Sequence, residues 1–199
     1  MRVLHISDTH SKHHELPPLP DADIIVHSGD FTFAGSEDEA YYFINWFCDL
    51  PYQHKIFIAG NHDMCMYGTG SIEGLPNNVH YLCNSGIVIN DVQFYGIPMF
   101  MEDLIDGSFD RMINDIPDST NVLITHQTPY GICDEYNGRH CGDRVLREKI
   151  ERLSALRFHL FGHQHEANSI IVHDGITFSN AAVLDCQYNL IAKPRIIEL

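Results

Sequence analysis

The sequence predicts an α/β protein with a mixed sheet or two sheets. Short apolar runs recur that each end in a polar cluster, amphipathic stretches of helical period lie between some of them, and two hairpin patterns complete the set. The chain of 199 residues has no internal repeat, low-complexity tract or linker, so we expect one domain over residues 1–199.

Five short runs have the composition of buried strands. Each is dominated by apolar side chains and is followed at once by polar residues. The predicted strands are residues 3–6, 24–27, 56–59, 122–125 and 158–161.

Two helices and two hairpins fill the rest of the pattern. Ser36 and Glu39 have the spacing of a capping box, and the helix that follows them ends before Pro51. A second amphipathic helix is predicted over residues 143–153. Hairpins are predicted over residues 87–95 and 170–178, with turns at Asn90-Asp91 and Asp174-Gly175.

The charge of the chain limits its partners. It has 27 Asp and Glu residues against 12 Lys and Arg residues, a formal net charge of −15. Such a chain repels the phosphate backbone of long nucleic acids and anionic membrane surfaces, so we expect neither as a partner. The 14 histidines point instead to metal ligation, because imidazole is the commonest nitrogen ligand of metals.

Nothing in the sequence predicts export or a membrane span. The first residues run directly into a predicted strand, and the apolar runs are too short to cross a bilayer. The six cysteines form no Cys-x-x-Cys pair. We therefore expect a cytoplasmic protein with reduced thiols, with disulfides as the alternative that an even number of cysteines leaves open.

Polar clusters follow all five predicted strands. They are Asp8-Thr9-His10, Gly29-Asp30, Gly60-Asn61-His62-Asp63, His126 and Gly162-His163-Gln164-His165. The carboxyl ends of strands in an open α/β sheet share one crevice, so these side chains can meet. Carboxylate, imidazole and amide groups without thiolate favour Mn²⁺, Fe, Zn²⁺ or Co²⁺.

Each cluster alone also has a structural explanation. Asp8 is a residue type that hydrogen-bonds backbone in turns, and Gly60 permits a positive φ at the end of a strand. Five such interruptions at five strand ends favour a common site over five unrelated turns. The set contains enough ligands for two metals, provided that one carboxylate bridges them.

This ordered set resembles the calcineurin-like metallophosphoesterase superfamily. The segments from His5 to Ser11, His27 to Thr32, Leu50 to Tyr52 and Lys55 to His62 are most similar to the brain-type metallophosphoesterase-domain proteins and their microbial relatives. The resemblance implies a four-layer α/β/β/α sandwich of two facing mixed β-sheets flanked by helices, with the metal site at the carboxyl ends of the strands. The same branch contains phosphodiesterases that act on cyclic nucleotides.

The resemblance also implies roles for individual residues. Asp8, His10 and His165 would bind one metal, Asn61, His126 and His163 the other, and Asp30 would bridge them. The implied cofactors are two divalent metal ions, Mn²⁺ preferred and Fe, Zn²⁺, Co²⁺, Ni²⁺ or Mg²⁺ as alternatives, with in-line attack by a bridging hydroxide. His62 would protonate the leaving alkoxide, and Asp63 would fix the tautomer of His62.

Several positions depart from the branch or fall outside the pattern. His163 stands where some brain-type members have glycine, and the loop 99–107 is short and lacks tryptophan. The conformation of the loop 130–142 cannot be inferred from the family. Arg139 in this loop and Arg144 at the start of the predicted second helix are the basic residues expected nearest a phosphate. His13 and His14 are expected in a solvated loop.

The function that follows is a metal-dependent phosphoester hydrolase acting on small phosphodiesters, cyclic nucleotides among them. A phosphomonoesterase or protein phosphatase is the alternative, because the metal ligands serve both reactions. A non-catalytic binding scaffold is disfavoured, since no ligand is missing and His62 is present.

Overall fold

The computed structural model describes residues 1–199 and contains thirteen strands and four α-helices. The strands are β1 (Arg2–Ile6), β2 (Ile24–His27), β3 (His54–Phe57), β4 (Val79–Tyr81), β5 (Ser85–Ile89), β6 (Val92–Ile97), β7 (Val122–Thr125), β8 (Glu135–Tyr136), β9 (Arg139–His140), β10 (Phe158–Phe161), β11 (Ser169–His173), β12 (Ile176–Asn180) and β13 (Arg195–Glu198). The helices are α1 (Glu37–Asp49), α2 (Met101–Asp106), α3 (Ser108–Asn114) and α4 (Arg144–Arg152).

The strands form two mixed sheets and one small ribbon. The first sheet has the order β13-β1-β2-β3-β4, in which β1 to β4 are parallel and β13 is antiparallel to β1. The second has the order β11-β12-β10-β7-β6-β5, with four parallel central strands and an antiparallel strand at each edge. The strands β8 and β9 pair only with each other.

Successive side chains of each strand point to opposite faces of its sheet, and this alternation produces the layers. Side chains of both sheets fill the space between them, among them Val3, Val26, Ile56, Val122 and Leu160. The opposite faces carry a second set of apolar side chains that packs on the helices. Leu4, Ile25 and Phe57 pack on α1, whereas Leu123 and Phe161 lie in a core with α3 and α4. The four-layer α/β/β/α sandwich is therefore confirmed.

The two predicted helices begin as their caps indicate. Ser36 Oγ accepts the backbone N–H of Glu39 at 3.3 Å, and Glu39 Oε2 accepts that of Ser36 at 3.2 Å, which confirms the capping box. Asp143 Oδ1 accepts the N–H of Leu146 at 2.7 Å and so begins α4. Glu39 also accepts a hydrogen bond from the backbone of Phe33, tying the loop after β2 to α1.

Some boundaries differ from the prediction. The strand expected at 56–59 is β3, which begins at His54, because Lys55 is buried with its ammonium donating to the carbonyl of Cys48 at 2.7 Å. The segment 99–107 was expected to be a loop, yet it contains α2, while the segment 130–142 contains the β8–β9 ribbon.

The predicted solvated loop at His13 is also wrong. The His13 ring is buried, with its centroid 4.8 Å from that of Trp46 and 5.6 Å from that of Phe43. Aromatic packing thus replaces solvent around this imidazole, whereas the neighbouring His14 is exposed as expected.

None of the helices has both the length and the apolar character that a membrane span requires.

Candidate metal centre

All the predicted ligands lie in loops that follow strands at one edge of the sandwich. Asp8 and His10 follow β1, Asp30 follows β2, Asn61 follows β3, His126 follows β7, and His163 and His165 follow β10. Three sets of three side chains have ligand atoms within 4.8 Å of one another: Asp8, His10 and His165; His10, Asp30 and His62; and Asp8, Asp30 and His126. The structure therefore brings together residues separated by up to 157 positions in the sequence.

One half of the centre contains Asp8, His10 and His165. His165 Nε2 lies 3.4 Å from Asp8 Oδ1 and 3.3 Å from His10 Nε2. Asp8 and His10 are fully or almost fully buried, so neither can rely on bulk water to satisfy its polar atoms. This half has the composition of a divalent-cation site, two imidazole nitrogens and one carboxylate.

Asp30 lies between this half and the other one. Its Oδ2 atom lies 3.3 Å from His126 Nε2 and 3.7 Å from His10 Nε2. His126 Nε2 is in turn 3.1 Å from Asn61 Oδ1. One carboxylate oxygen is thus shared by two groups of potential ligands, as a bridging position requires.

The tautomers of three imidazoles follow from their backbone partners. Nδ1 of His10 is 3.2 Å from the carbonyl of Thr32, that of His126 is 2.9 Å from the carbonyl of Ser28, and that of His165 is 3.0 Å from the carbonyl of Asp185. A carbonyl only accepts hydrogen bonds, so each Nδ1 is the protonated donor. When such a ring is neutral, Nε2 is the atom that presents a lone pair to the centre.

These lone pairs test whether a metal fits the centre. The Nε2 atoms of His10 and His165 are 3.3 Å apart, and both lie beside the buried carboxylates of Asp8 and Asp30. Lone pairs and carboxylate oxygens repel one another unless a cation or proton lies between them. Imidazole held at Nδ1 by a carbonyl is also the usual arrangement of a metal ligand. The donor set therefore fits divalent cations.

The shifted pKa values of His126 and Asp30 also show that the centre stabilises positive charge. Burial opposes protonation of His126, but the adjacent Asp30 carboxylate outweighs it and raises the pKa of His126 to about 10. Burial likewise opposes ionisation of Asp30, and the same His126 outweighs it and lowers the pKa of Asp30 to about 2. The carboxylates therefore stay ionised at neutral pH, and protons compete with metal for the imidazole.

His163 contributes to the centre in two ways. Its backbone N–H lies 3.1 Å from both carboxylate oxygens of Asp8, and its ring centroid lies 5.2 Å from that of His126. Burial lowers the pKa of His163 to about 4, which keeps the ring neutral and its lone pair available. The ring thus lies beside the half that contains Asn61 and His126.

Two glycines make room for the carboxylates. A Cβ atom at Gly60 would lie 2.2 Å from Asp30 Oδ1, and one at Gly162 would lie 2.1 Å from Asp8 Oδ2. No real Cβ approaches an oxygen this closely, so any side chain at these positions would displace a ligand. The glycines of the polar clusters are therefore needed for close approach.

Four of the site residues have left-handed backbone. The φ angles are 56° at Asp8, 40° at His10, 57° at Asp30 and 68° at His163. Few L-residues adopt this region, although Asp and His do so more often than most. The backbone N–H of Asp8 donates to Gly29 at 3.0 Å, and that of His10 donates to Asp30 at 3.0 Å, so the loops after β1 and β2 fix each other.

His62 lies at the edge of the centre with a fixed tautomer. Its Nδ1 donates to the carbonyl of Phe33 at 2.9 Å, and its ring centroid is 4.6 Å from that of His10. Its backbone N–H donates to Asp30 Oδ1 at 2.8 Å. Because Phe33 holds Nδ1, Nε2 is the atom that His62 can present to the centre.

The expected role of Asp63 is wrong. The buried carboxylate of Asp63 accepts the backbone N–H groups of Asp30 at 2.9 Å, Thr32 at 2.8 Å and Gly60 at 2.8 Å, and it makes no hydrogen bond with the His62 imidazole. The carbonyl of Phe33 fixes that tautomer instead. Asp63 holds the loops after β2 and β3 against each other.

The two arginines expected nearest a phosphate do not line the groove beside the centre. The guanidinium carbon of Arg144 is 3.6 Å from the ring centroid of Tyr130, a cation–π contact on the α4 side, and Arg139 is exposed in β9. The groove beside the centre has a volume of about 290 Å³ and is lined by Tyr136, His163, Gln164, His165, Glu166, Cys186 and Tyr188. Neither arginine is among these residues.

Sequence reasoning missed Asp185 and Tyr188. The carbonyl of Asp185 fixes His165, and the ring centroid of Tyr188 is 5.0 Å from that of His10. Both lie in the turn 185–189, which follows no predicted strand and matches no part of the metal pattern. Only the fold brings this turn to the site.

Comparison with known proteins adds an independent finding. The sequence model described as calcineurin-like phosphoesterase matches residues 1–167. A UPF0046 protein of Caenorhabditis elegans is 32% identical over 229 residues, which cover 100% of this chain and 81% of that protein. Metallophosphoesterase domain-containing protein 1 of Homo sapiens is 28% identical over 232 residues. The match covers 100% of this chain and 71% of the human protein.

A solved structure has a similar fold. It superimposes with a TM-score of 0.68 at 15% sequence identity, covering 91% of this chain and 90% of that one. At this identity the similarity concerns the fold alone.

Proposed function

The chain belongs to the calcineurin-like phosphoesterase family and is a metal-dependent phosphoester hydrolase, and we propose that it is a dinuclear enzyme for small phosphodiesters. Cyclic nucleotides are among the substrates we propose, and Mn²⁺ is the metal. The observation that carries the dinuclear proposal is the shared oxygen of Asp30, 3.3 Å from His126 Nε2 and 3.7 Å from His10 Nε2.

The ligands divide into two sets around that oxygen. Asp8, His10 and His165 would hold one cation, and Asn61, His126 and His163 the other. When bound, two cations lower the pKa of a shared water, align it for in-line attack and neutralise charge on the phosphoryl oxygens. The carbonyl partners at Nδ1 keep the imidazoles in the ligating tautomer, and Gly60 and Gly162 let the carboxylates approach.

His62 is the proposed general acid. The Phe33 carbonyl accepts its Nδ1–H, so in the imidazolium form the Nε2–H proton would pass to the leaving oxygen and leave a neutral ring protonated at Nδ1. The His62 backbone also binds Asp30 Oδ1. This hydrogen bond helps to fix the position of the His62 backbone relative to the proposed bridging carboxylate.

The groove beside the centre supports a diester by its space. It has a volume of about 290 Å³ and is lined at one end by the proposed ligands His163 and His165. A diester carries a second organic substituent that would occupy this space, whereas a monoester has none.

The test is metal-stripped protein resupplied with Mn²⁺ and assayed on bis(p-nitrophenyl) phosphate and p-nitrophenyl phosphate. We expect two Mn²⁺ per chain by elemental analysis and faster turnover of the diester. Faster monoester turnover would favour a phosphomonoesterase or protein phosphatase. Two bound metals without hydrolysis of either ester would favour a binding scaffold.

Asp30→Asn is the decisive variant for the dinuclear centre. It should reduce the metal content and lower diester turnover about 100-fold or more, because a weakened bridge forfeits several kcal/mol of electrostatic stabilisation. Asp91→Asn is the matched control, since Asp91 lies exposed in the β5–β6 turn. Equal activity in the two variants would refute the bridging role.

We also propose a cytoplasmic location. Its support is that all six cysteines are free thiols in the fold. Thiol titration of protein purified without reductant should give six thiols per chain, and a substoichiometric count would contradict the proposal.

A further inference from the structure

The groove beside the metal centre has the shape and lining of a site for an organic substituent. Its volume is about 290 Å³, and two metal-ligand histidines, His163 and His165, form one end. Tyr136 from the β8–β9 ribbon and Tyr188 from the turn 185–189 are its two aromatic side chains. A group attached to a phosphorus atom at the centre and extending into this groove would therefore meet an aromatic lining.

The turn that carries Tyr188 is fixed to the metal centre. Asp185 Oδ1 accepts the backbone N–H groups of Gln187 at 2.9 Å and Asn189 at 2.8 Å, while the Asp185 carbonyl accepts from His165 at 3.0 Å. Lys12 Nζ donates to the carbonyl of Tyr188 at 2.7 Å. The Tyr188 ring is thus held in place before any substrate arrives.

The backbone of Tyr188 has an unfavourable conformation. Its φ is 61°, in a region that bulky L-residues seldom adopt. Its ring contacts Phe33 and His10 edge-on, with centroid distances of 5.0 Å to each. These contacts lie at the centre itself, so the strained residue presents an aromatic ring next to a metal ligand.

Glu166 is the only acidic residue of the groove. It lies one position after His165, and its side chain is exposed. Gln164, the residue on the other side of His165, adds an uncharged amide. None of the seven lining residues is Lys or Arg, so a negative charge on a substituent that extends past the cations into the groove would meet the Glu166 carboxylate.

We propose that Tyr188 and Glu166 are the specificity-determining residues for the substituent that stays on the phosphorus: Tyr188 favours an uncharged aromatic ring, and Glu166 rejects an anionic one. This inference rests on the proposed phosphodiesterase function. Stacking of a planar ring on one aromatic side chain contributes about tenfold or more to binding.

Two diesters with the same leaving group test the role of Tyr188. They are methyl p-nitrophenyl phosphate and phenyl p-nitrophenyl phosphate, and the readout is the ratio of their kcat/KM values with Mn²⁺ bound. Tyr188→Leu should lower the phenyl-to-methyl ratio about tenfold, whereas Tyr188→Phe should preserve it. Tyr41→Leu, at an exposed position of α1, is the control and should leave the ratio unchanged.

A third ester tests Glu166. With 4-carboxyphenyl p-nitrophenyl phosphate, Glu166→Gln should raise kcat/KM about fivefold relative to the phenyl ester, because one repulsive charge is removed. An unchanged phenyl-to-methyl ratio in Tyr188→Leu would overturn the role of Tyr188. An unchanged carboxyphenyl-to-phenyl ratio in Glu166→Gln would overturn that of Glu166.

Failure of the proposed function has a different signature. If the wild type hydrolyses none of the esters, the phosphodiesterase proposal is wrong. The aromatic preference of the groove is then tested by ligand binding instead of hydrolysis. The measurement is the Kd of phenylphosphonate relative to methylphosphonate for the Mn²⁺-loaded protein. A ratio that Tyr188→Leu reduces would support the aromatic selection, and equal ratios in both proteins would overturn it.

Discussion

Gly162 lies so close to Asp8 that a Cβ atom at position 162 would be 2.1 Å from Asp8 Oδ2. The same Cβ would lie 2.1 Å from Ser7 Oγ, so the carboxylate and the end of β1 close around this glycine. The φ of Gly162 is not in the left-handed region. Contact, rather than backbone conformation, therefore requires glycine here.

Gly162→Ala should accordingly displace Asp8. We expect hydrolysis to fall about 100-fold, since a misplacement of about 1 Å in a catalytic centre has that effect, and unfolding stability to fall by about 1–3 kcal/mol. Gly70→Ala is the control, because a Cβ at Gly70 meets nothing within 4 Å. Activity, metal content and urea denaturation measure the outcome. A fully active Gly162→Ala protein would contradict the close packing.

Asp63→Asn should damage the centre without removing a ligand. The Asp63 carboxylate receives backbone N–H groups from two loops, and an amide would turn an NH₂ group toward some of those donors. We expect a loss of about 2–4 kcal/mol in stability and a 10–100-fold loss in Mn²⁺ affinity. Thermal unfolding and metal titration measure these effects. Asp63→Asn that matches the wild type in both would refute the role of Asp63 as a positioning residue.

The sequence could predict that the side chains of the candidate metal centre lie together, because each follows a predicted buried strand and the geometry of sheet edges brings such residues to one place. The contacts of Asp63, Asp185 and Tyr188 could not be predicted, because their partners lie in other loops and no local spacing encodes them. The family resemblance implied that Asp63 would fix the tautomer of the neighbouring His62. In the fold, its partners are Asp30 and Thr32, more than 30 positions away.

The strands and helices that the sequence pattern did not predict are short, or a glycine interrupts their helical period. β4 has three residues and β13 lies at the end of the chain, so neither offers a full alternating pattern. The helices α2 and α3 are separated by Gly107, whose φ of 74° ends the first and begins the second. The break leaves helices of six and seven residues, too short for a clear helical period, which explains why residues 99–107 were expected to be a loop and α3 was not predicted.

His62→Ala should distinguish between leaving groups. An alkoxide needs a proton as it leaves, whereas p-nitrophenolate is stable without one. We expect kcat/KM to fall about 100-fold or more for a cyclic nucleotide, whose leaving group is an alkoxide, and less than about tenfold for bis(p-nitrophenyl) phosphate. His14→Ala, at an exposed histidine outside the centre, is the control. Equal losses on both substrates would reject His62 as the general acid.

His159 should make the stability of the protein depend on pH. The ring is fully buried in β10, and Thr125 Oγ1, which donates to the carbonyl of Gln127, accepts from His159 Nε2 at 2.8 Å. Nδ1 therefore holds a buried lone pair without a partner. Burial lowers the pKa of His159 from 6.5 to about 3.

Because the folded pKa lies below the unfolded one, the unfolded chain binds the extra proton between these two values. Above pH 6.5 the ring is neutral in both the folded and the unfolded state, so His159 does not change the free energy of unfolding with pH. Below pH 6.5 the free energy of unfolding falls by about 1.4 kcal/mol per pH unit, until the pH reaches the folded pKa. His159→Gln keeps a donor for Thr125 but cannot titrate. From pH 6 to 4.5 the wild type should lose roughly 2 kcal/mol more than this variant in urea unfolding. The exposed His173→Gln serves as control, and parallel pH dependence in wild type and His159→Gln would show that His159 is protonated in the folded state.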